Sequence, residues 1–178
     1  MRIIAGEWKG AKLFSVQNKR TRPTTDYLKE VIFSVLYDVA EAQVLDLFAG
    51  SGGLGLEALS RGARHVTFVD IDEKALTSIH RSIDKIRCSE QCSLFRKKAS
   101  AFLAANEHTY DLILMDPPYD RRLVNKTLRQ VFEHGRLAPG GRLLVEHAAA
   151  ELLDERWAPV YQKRFGDSVI SIIKLEEK

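Results

Sequence analysis

Val44-Leu45-Asp46-Leu47-Phe48-Ala49-Gly50-Ser51-Gly52-Gly53-Leu54-Gly55 runs from a short apolar stretch into four glycines within six residues. The apolar run predicts a strand covered on both faces, and the segment Leu54 to Arg61 predicts a helix. Glycines between the two leave the first N–H groups of that helix open to a ligand, because a side chain there would block the turn. The same alternation recurs downstream. His65 to Asp70 precedes a helix over Glu73 to Ile86, and a strand around Ser93-Leu94-Phe95 precedes Ala99 to Ala105. Tyr110 to Met115 is a fourth strand, ending at Asp116-Pro117-Pro118-Tyr119. After a helix over Leu123 to His134, Pro139-Gly140-Gly141 turns into a fifth strand, Arg142 to Glu146. Continuous apolar strands alternating with helices predict a parallel, doubly wound α/β sheet.

At the far end, Pro159 to Arg164 and Ser168 to Lys174 flank Phe165-Gly166-Asp167, which reads as an antiparallel hairpin closing the sheet. On the N-terminal side, Thr24, Thr25 or Asp26 caps a helix with apolar positions Leu28, Val31, Ile32, Val35 and Leu36. Ile3-Ile4-Ala5 and Lys12-Leu13-Phe14, beside Gly6 and Gly10, read as a small hairpin. The expectation is one domain over 1–178, with a basic hairpin extension at 1–22 and the core at 43–178, since 178 residues rarely divide into two cores.

The chain is 45% hydrophobic and 29% charged, the balance of an ordinary globular protein. No apolar run approaches a membrane span, and Met1-Arg2-Ile3-Ile4-Ala5-Gly6-Glu7-Trp8 lacks the apolar core of a signal peptide, so a cytoplasmic, membrane-free protein is expected. Cys88 and Cys92 match neither a redox pair nor a zinc half-site and are expected to be free thiols. The five histidines lack ligand spacing, so no metal is expected. The net charge of +3 is unevenly placed: residues 1 to 22 hold Arg2, Lys9, Lys12, Lys19, Arg20 and Arg22 against Glu7 alone. That concentration points to a polyanion met by the N-terminus, with Lys9, Lys12, Lys19, Arg20 and Arg22 as its candidate contacts. The plainer reading is an edge hairpin protected from aggregation by lysines.

Gly50-x-Gly52-x-x-Gly55, with Asp70 twenty residues after Gly50, formally satisfies a dinucleotide fingerprint. Asp46 argues for S-adenosylmethionine instead, because a carboxylate there suits a cationic methionine ammonium and repels a pyrophosphate. The candidate cofactor contacts are Asp46, Ala49, Gly50, Ser51, Gly52, Gly55, Asp70 and Ala99. Asp70 would bond the ribose hydroxyls, with a helix N-cap as its plainer role.

Asp116-Pro117-Pro118-Tyr119 is the candidate catalytic segment, at the carboxyl end of a strand where open α/β sheets place ligands. An exocyclic base amine is a poor nucleophile because its lone pair is delocalised into the ring. Acceptors on its N–H groups return density to the nitrogen, and the Asp116 carboxylate with the Pro117 carbonyl supplies two. The paired prolines stiffen the loop, and Tyr119 offers a face on which to stack the base.

These segments, with Met1-Arg2-Ile3-Ile4-Ala5-Gly6, Lys9-Gly10, Arg22-Pro23-Thr24-Thr25-Asp26 and Leu56-Glu57-Ala58-Leu59-Ser60-Arg61-Gly62, resemble the bacterial small-subunit ribosomal RNA guanine-N2 methyltransferases of the RsmD type. The resemblance covers nearly the whole chain. It implies a class I, Rossmann-like, seven-stranded, mostly parallel sheet with an antiparallel last strand and S-adenosylmethionine as donor. It also implies a guanine of 16S rRNA, in free rRNA or a 30S assembly intermediate, as acceptor; the protein is expected to act as a monomer. One departure stands out: the turn after the third strand, commonly Asp-Ala in this fold, reads Lys97-Lys98-Ala99-Ser100. A lysine accepts no hydrogen bond from an adenine amine, so that contact falls to backbone near Ala99 or to Ser100. Two rivals remain at this point: a DNA adenine-N6 methyltransferase, which uses the same acceptors but usually carries a recognition domain, and a noncatalytic RNA-binding assembly factor.

Overall fold

A computed structural model describes residues 1–15, 26–118 and 123–175 of the chain. Its centre is a seven-stranded sheet of β1 (Gln43–Leu47), β2 (His65–Asp70), β3 (Cys92–Arg96), β4 (Tyr110–Met115), β5 (Leu137–Ala148), β6 (Tyr161–Phe165) and β7 (Ser168–Lys174). They lie in the order β3-β2-β1-β4-β5-β7-β6. The first five strands are parallel, whereas β7 runs antiparallel to β5 and β6 antiparallel to β7. This is the mostly parallel, class I methyltransferase topology with its reversed closing hairpin.

Helices α1 (Asp26–Leu36), α2 (Gly53–Ser60) and α3 (Glu73–Ile86) cover one face, and α4 (Ala99–Ala105) and α5 (Leu123–Glu133) the other. Strand alternation divides the core accordingly: Val44, Leu112 and Leu144 pack toward α1–α3, Leu45, Ile113 and Leu143 toward α4 and α5. Every one of these six residues is fully buried, which is why the strands read as unbroken apolar runs.

The fifth strand departs from expectation. Pro139-Gly140-Gly141 is not a turn before the strand but a bulge inside it: Tyr110 pairs with Leu137, then Leu112 pairs with Arg142. Gly140 takes φ +73°, and a Cβ on Gly141 would lie 2.7 Å from the Ala138 carbonyl oxygen, so glycine is what lets the strand continue.

The N-terminal hairpin is shorter than its sequence suggests, a single antiparallel bridge between Arg2 and Lys12. The N–H groups of Ile3, Gly10 and Leu13 bond across it, and others are drawn to α2. The N–H groups of Ile4 and Ala5 donate to the Glu57 carboxylate at 2.9 and 3.0 Å, and that of Trp8 donates to Ser60 Oγ at 3.0 Å. Glu57 is wholly buried on α2 and pairs with an equally buried Lys29 of α1 at 3.4 Å. The Lys29 ammonium also donates to the Arg2 carbonyl. With Ile3 and Leu13 in the core, residues 1–15 join the α1–α3 layer. Cys88 and Cys92 are free thiols whose sulfurs lie 3.7 Å apart. No helix among the described residues is long and apolar enough to cross a membrane, and no group of metal-ligating side chains occurs among them.

Candidate active site

The glycine turn between β1 and α2 is shaped by two aspartates. Asp46, on β1 and 3% exposed, accepts from the Gly55 N–H at 3.0 Å. Asp70, at the end of β2, accepts from the Gly50 N–H at 2.8 Å through one oxygen and from the Asp72 N–H at 2.8 Å through the other. Between these anchors, Gly50 and Gly52 adopt φ +53° and +74°. A Cβ on Gly55 would fall 2.3 Å from the Phe68 ring and 2.8 Å from the Asp46 carboxylate, so helix and strand meet only through glycine. A Cβ on Gly50, by contrast, would meet nothing closer than 3.9 Å, so its outer side is open. Ala49 is held from both sides, its N–H bonded to the Val69 carbonyl and its own carbonyl to the Gly52 N–H.

Asp70 is therefore not the cap of α3. That role falls to Asp72, which accepts from the Lys74 N–H at 2.9 Å, leaving Asp70 to the loop. The Lys97 N–H donates to the Asp70 carbonyl at 3.0 Å and brings the Lys97-Lys98-Ala99 turn beside it. Lys98 occupies the N-cap of α4 without a side-chain cap, and its side chain is exposed while Ala99 is buried.

Asp116 follows β4 at the carboxyl edge of the sheet, half-buried, with Pro117 buried and Pro118 exposed. Pairing of Met115 with Val145 places Asp116 level with Glu146 of β5, and pairing of Leu47 with Met115 places Asp46 on the neighbouring strand. Burial pushes the Asp116 carboxyl well above the usual carboxylate range, and the charges of Glu146 and Asp46 push it further. Burial likewise raises Asp46 to about 8, with Asp70 adding to the rise and the Gly55 N–H opposing it. Asp46, Ala49, Gly50, Gly52, Gly55 and Asp70 thus share one edge with Ala99, Asp116 and Pro117, and Ser51 sits within the same turn. Tyr119, Lys19, Arg20 and Arg22 lie outside the described residues, while Lys9 and Lys12 are exposed on the hairpin.

Glu146 was missed in the sequence reading, although a signal was present. Like Asp70 and Asp116, it is an acidic residue directly after an apolar run, here Leu143-Leu144-Val145, and it is 7% exposed. The row of carboxylates suits a cationic ligand and opposes a pyrophosphate.

A family model described as Conserved hypothetical protein 95 matches residues 1–174. The Ribosomal RNA small subunit methyltransferase D of Haemophilus influenzae is 34% identical over 172 residues, spanning 93% of this chain and 89% of that protein. The solved structure of yhhF from Escherichia coli superposes with a TM-score of 0.89 at 31% identity, covering 100% of this chain and 99% of that one. SMU.776, solved in complex with SAH, shares the fold at a TM-score of 0.70 and 15% identity, over 87% of this chain and 50% of its own.

Proposed function

The chain belongs to the Conserved hypothetical protein 95 family, and from that membership we propose that it methylates the N2 amine of a guanine in small-subunit ribosomal RNA with S-adenosylmethionine as donor. The observation that carries this reading is the placement of Asp116 and Pro117, two acceptors for an amine, on the same sheet edge as a glycine turn framed by Asp46 and Asp70. The name of the Haemophilus relative supports ribosomal RNA as the substrate class.

The residues present fit the donor. The open side of Gly50 admits close approach of a ligand to backbone. Burial and mutual repulsion hold Asp46 and Asp116 toward their protonated forms, so a ligand's ammonium and sulfonium charges would favour their ionisation, which a dinucleotide's pyrophosphate would oppose. When bound, the donor supplies an electrophilic methyl group on a good leaving group. The chain supplies alignment and polarisation: Asp116 and the Pro117 carbonyl accept from the target amine and hold its nitrogen toward the methyl. Asp70 is the candidate ribose ligand. Asp70→Ala is expected to weaken S-adenosylmethionine binding by about 1.5–3 kcal/mol, the value of a charged hydrogen bond, and unchanged calorimetric affinity would remove it from the site.

Transfer of tritium from labelled S-adenosylmethionine to 30S particles, free 16S rRNA and DNA tests the whole reading. Label in guanine N2 of 16S rRNA, located by nucleoside mass spectrometry, is the expected result. Label in DNA adenine would install the N6 alternative, and none in any substrate would leave the assembly-factor reading. The basic N-terminus is proposed to hold that RNA through phosphates. Changing Lys9, Lys12, Lys19 and Arg20 to Gln should weaken RNA binding and flatten its salt dependence while sparing donor affinity. An unaltered salt titration would reduce the segment to a solvated hairpin.

A further inference from the structure

Beside the candidate active site, but sharing none of its cofactor residues, lies a groove of about 630 Å³ between the end of the hairpin and the exposed side of α3. Phe14, Ile71, Lys74, Ser78, Arg81 and Arg96 form its functional lining. It opens at the carboxyl edge of the sheet, since Ile71 directly follows Asp70, whose carboxylate holds the glycine turn. A ligand in it is therefore a neighbour of the reacting centre.

Two independent features indicate that the groove is built to bind. The first is Ser78, 7% exposed on the groove wall, whose hydroxyl has no hydrogen-bond partner. Buried hydroxyls are nearly always satisfied, and the adjacent Ser82 hydroxyl is, donating to the Ser78 carbonyl and accepting from the Phe14 N–H. The second is a stack of aromatic and cationic groups. The Arg81 guanidinium lies 4.0 Å from the centre of the Phe14 ring, and the Lys85 ammonium lies 5.6 Å from it while donating to the Lys12 carbonyl at 2.7 Å. This contact fixes the hairpin to α3 and holds the guanidinium plane over the ring.

The charges select the ligand. Glu73 pairs with Arg96 at 2.9 Å, and Asp72 keeps its charge while capping the helix, so Lys74, Arg81 and Arg96 outnumber the two carboxylates of the lining by one. Lys74 and Arg81 are the cations left to an anionic ligand, one a point charge and the other a planar group on which a base stacks. Cations, a stacking plane and one unpaired hydroxyl are what a single-stranded RNA nucleotide requires for its phosphate, base and ribose.

We propose that the α3–hairpin groove holds an RNA nucleotide flanking the methylated base, its phosphate on Lys74 and Arg81 and its sugar or base edge on Ser78. The inference rests on the RNA methyltransferase reading given above and adds a subsite to it. Phosphate contacts fix register rather than sequence, so the groove would set where the target base falls relative to Asp116.

The test uses the full chain, a fluorescein-labelled single-stranded RNA read by anisotropy, and calorimetry with S-adenosylmethionine. Arg81→Glu is expected to weaken RNA binding at least tenfold and Ser78→Ala several-fold, both with donor affinity unchanged; the lost Phe14 contact should lower the melting temperature of Arg81→Glu only slightly, because Lys85 still ties the hairpin to α3. Arg87→Glu, the same charge change just beyond α3, should shift RNA affinity no more than about twofold. Equal losses in Arg81→Glu and Arg87→Glu would reduce the effect to long-range charge, and unchanged RNA affinity in Ser78→Ala and Arg81→Glu would overturn the subsite. Parallel loss of donor affinity would assign the groove to the cofactor. A wild-type protein that binds no RNA and methylates none would instead overturn the functional reading itself, a result separable from any outcome in the variants.

Discussion

Asp116→Ala is expected to lower kcat by about 10²–10³-fold while S-adenosylmethionine affinity stays within a few-fold of wild type. That magnitude is the cost of removing one preorganised group that acts on charge developing in a transition state. The amine nitrogen gains positive character as it attacks, so a carboxylate accepting its hydrogen bond contributes more at the transition state than in the ground state, and the loss should appear in kcat rather than KM. The proton load of the site adds a second signature. Asp116 sits well above the ordinary carboxylate range because it is buried beside Glu146 and Asp46. Its ionised form is the better acceptor, so activity should climb as pH rises through this raised value and fall below it. An unperturbed carboxylate would already have reached its plateau by about pH 5. At saturating S-adenosylmethionine, Asp116→Asn should flatten that rise in kcat, while the raised Asp46 keeps its own pH dependence in donor affinity. Near-wild-type turnover in the alanine variant, or a kcat acid limb unchanged in the asparagine variant, would remove Asp116 from the reacting centre.

The parallel core and the Asp46 to Gly55 turn were legible because β1, β2, β4 and the Arg142–Glu146 part of β5 are largely buried on both faces and therefore read as mainly apolar runs. The span of α3 was legible because Ala75, Ile79 and Ile83 keep a helical apolar period, although its cap is Asp72 and not Asp70, the cap the sequence had offered. Two features were hidden for physical reasons. Pro139-Gly140-Gly141 has the composition of a turn, and only the pairing of Tyr110 with Leu137 upstream of it shows that the strand has already begun. Glu57 stands in Leu56-Glu57-Ala58-Leu59 as an ordinary solvated helix position would. Its one local partner, Arg61, makes an i,i+4 pair of the kind solvated helix faces carry, whereas Lys29 and the backbone of Ile4 and Ala5, which bury it, are at least 28 residues away in sequence. The strand-end aspartates fall between these cases: the positions of Asp46 and Asp116 were readable, but the crowding that raises them arises only when adjacent strands align.

Glu57→Ala should be the most damaging single change to stability, lowering unfolding free energy by about 3–5 kcal/mol, the cost of stripping one partner from a buried ion pair. The substitution leaves the buried Lys29 ammonium without its carboxylate and takes the acceptor from the N–H groups of Ile4 and Ala5. It also releases Arg61, which bonds the other Glu57 oxygen at 3.0 Å. Lys29→Met should cost distinctly less, because Glu57 would keep Arg61 and both backbone donors while the unpaired cation disappears with the substitution. Urea unfolding of the two variants checks the order, and a Glu57→Ala loss below that of Lys29→Met would contradict the assignment of Glu57 as the anchor. The damage should also reach the cofactor turn. A Cβ on Gly53, the first residue of α2, would lie 2.6 Å from the Met1 sulfur, and one on Gly6 would lie 1.7 Å from the Ser60 carbonyl oxygen, so the hairpin is pressed against α2 along its length. Freeing it should raise amide exchange at Ile3, Gly10 and Leu13, whose N–H groups bond across the hairpin. Because α2 carries the N–H groups that the glycine turn presents, S-adenosylmethionine affinity should fall with the same variant even though Glu57 touches no ligand.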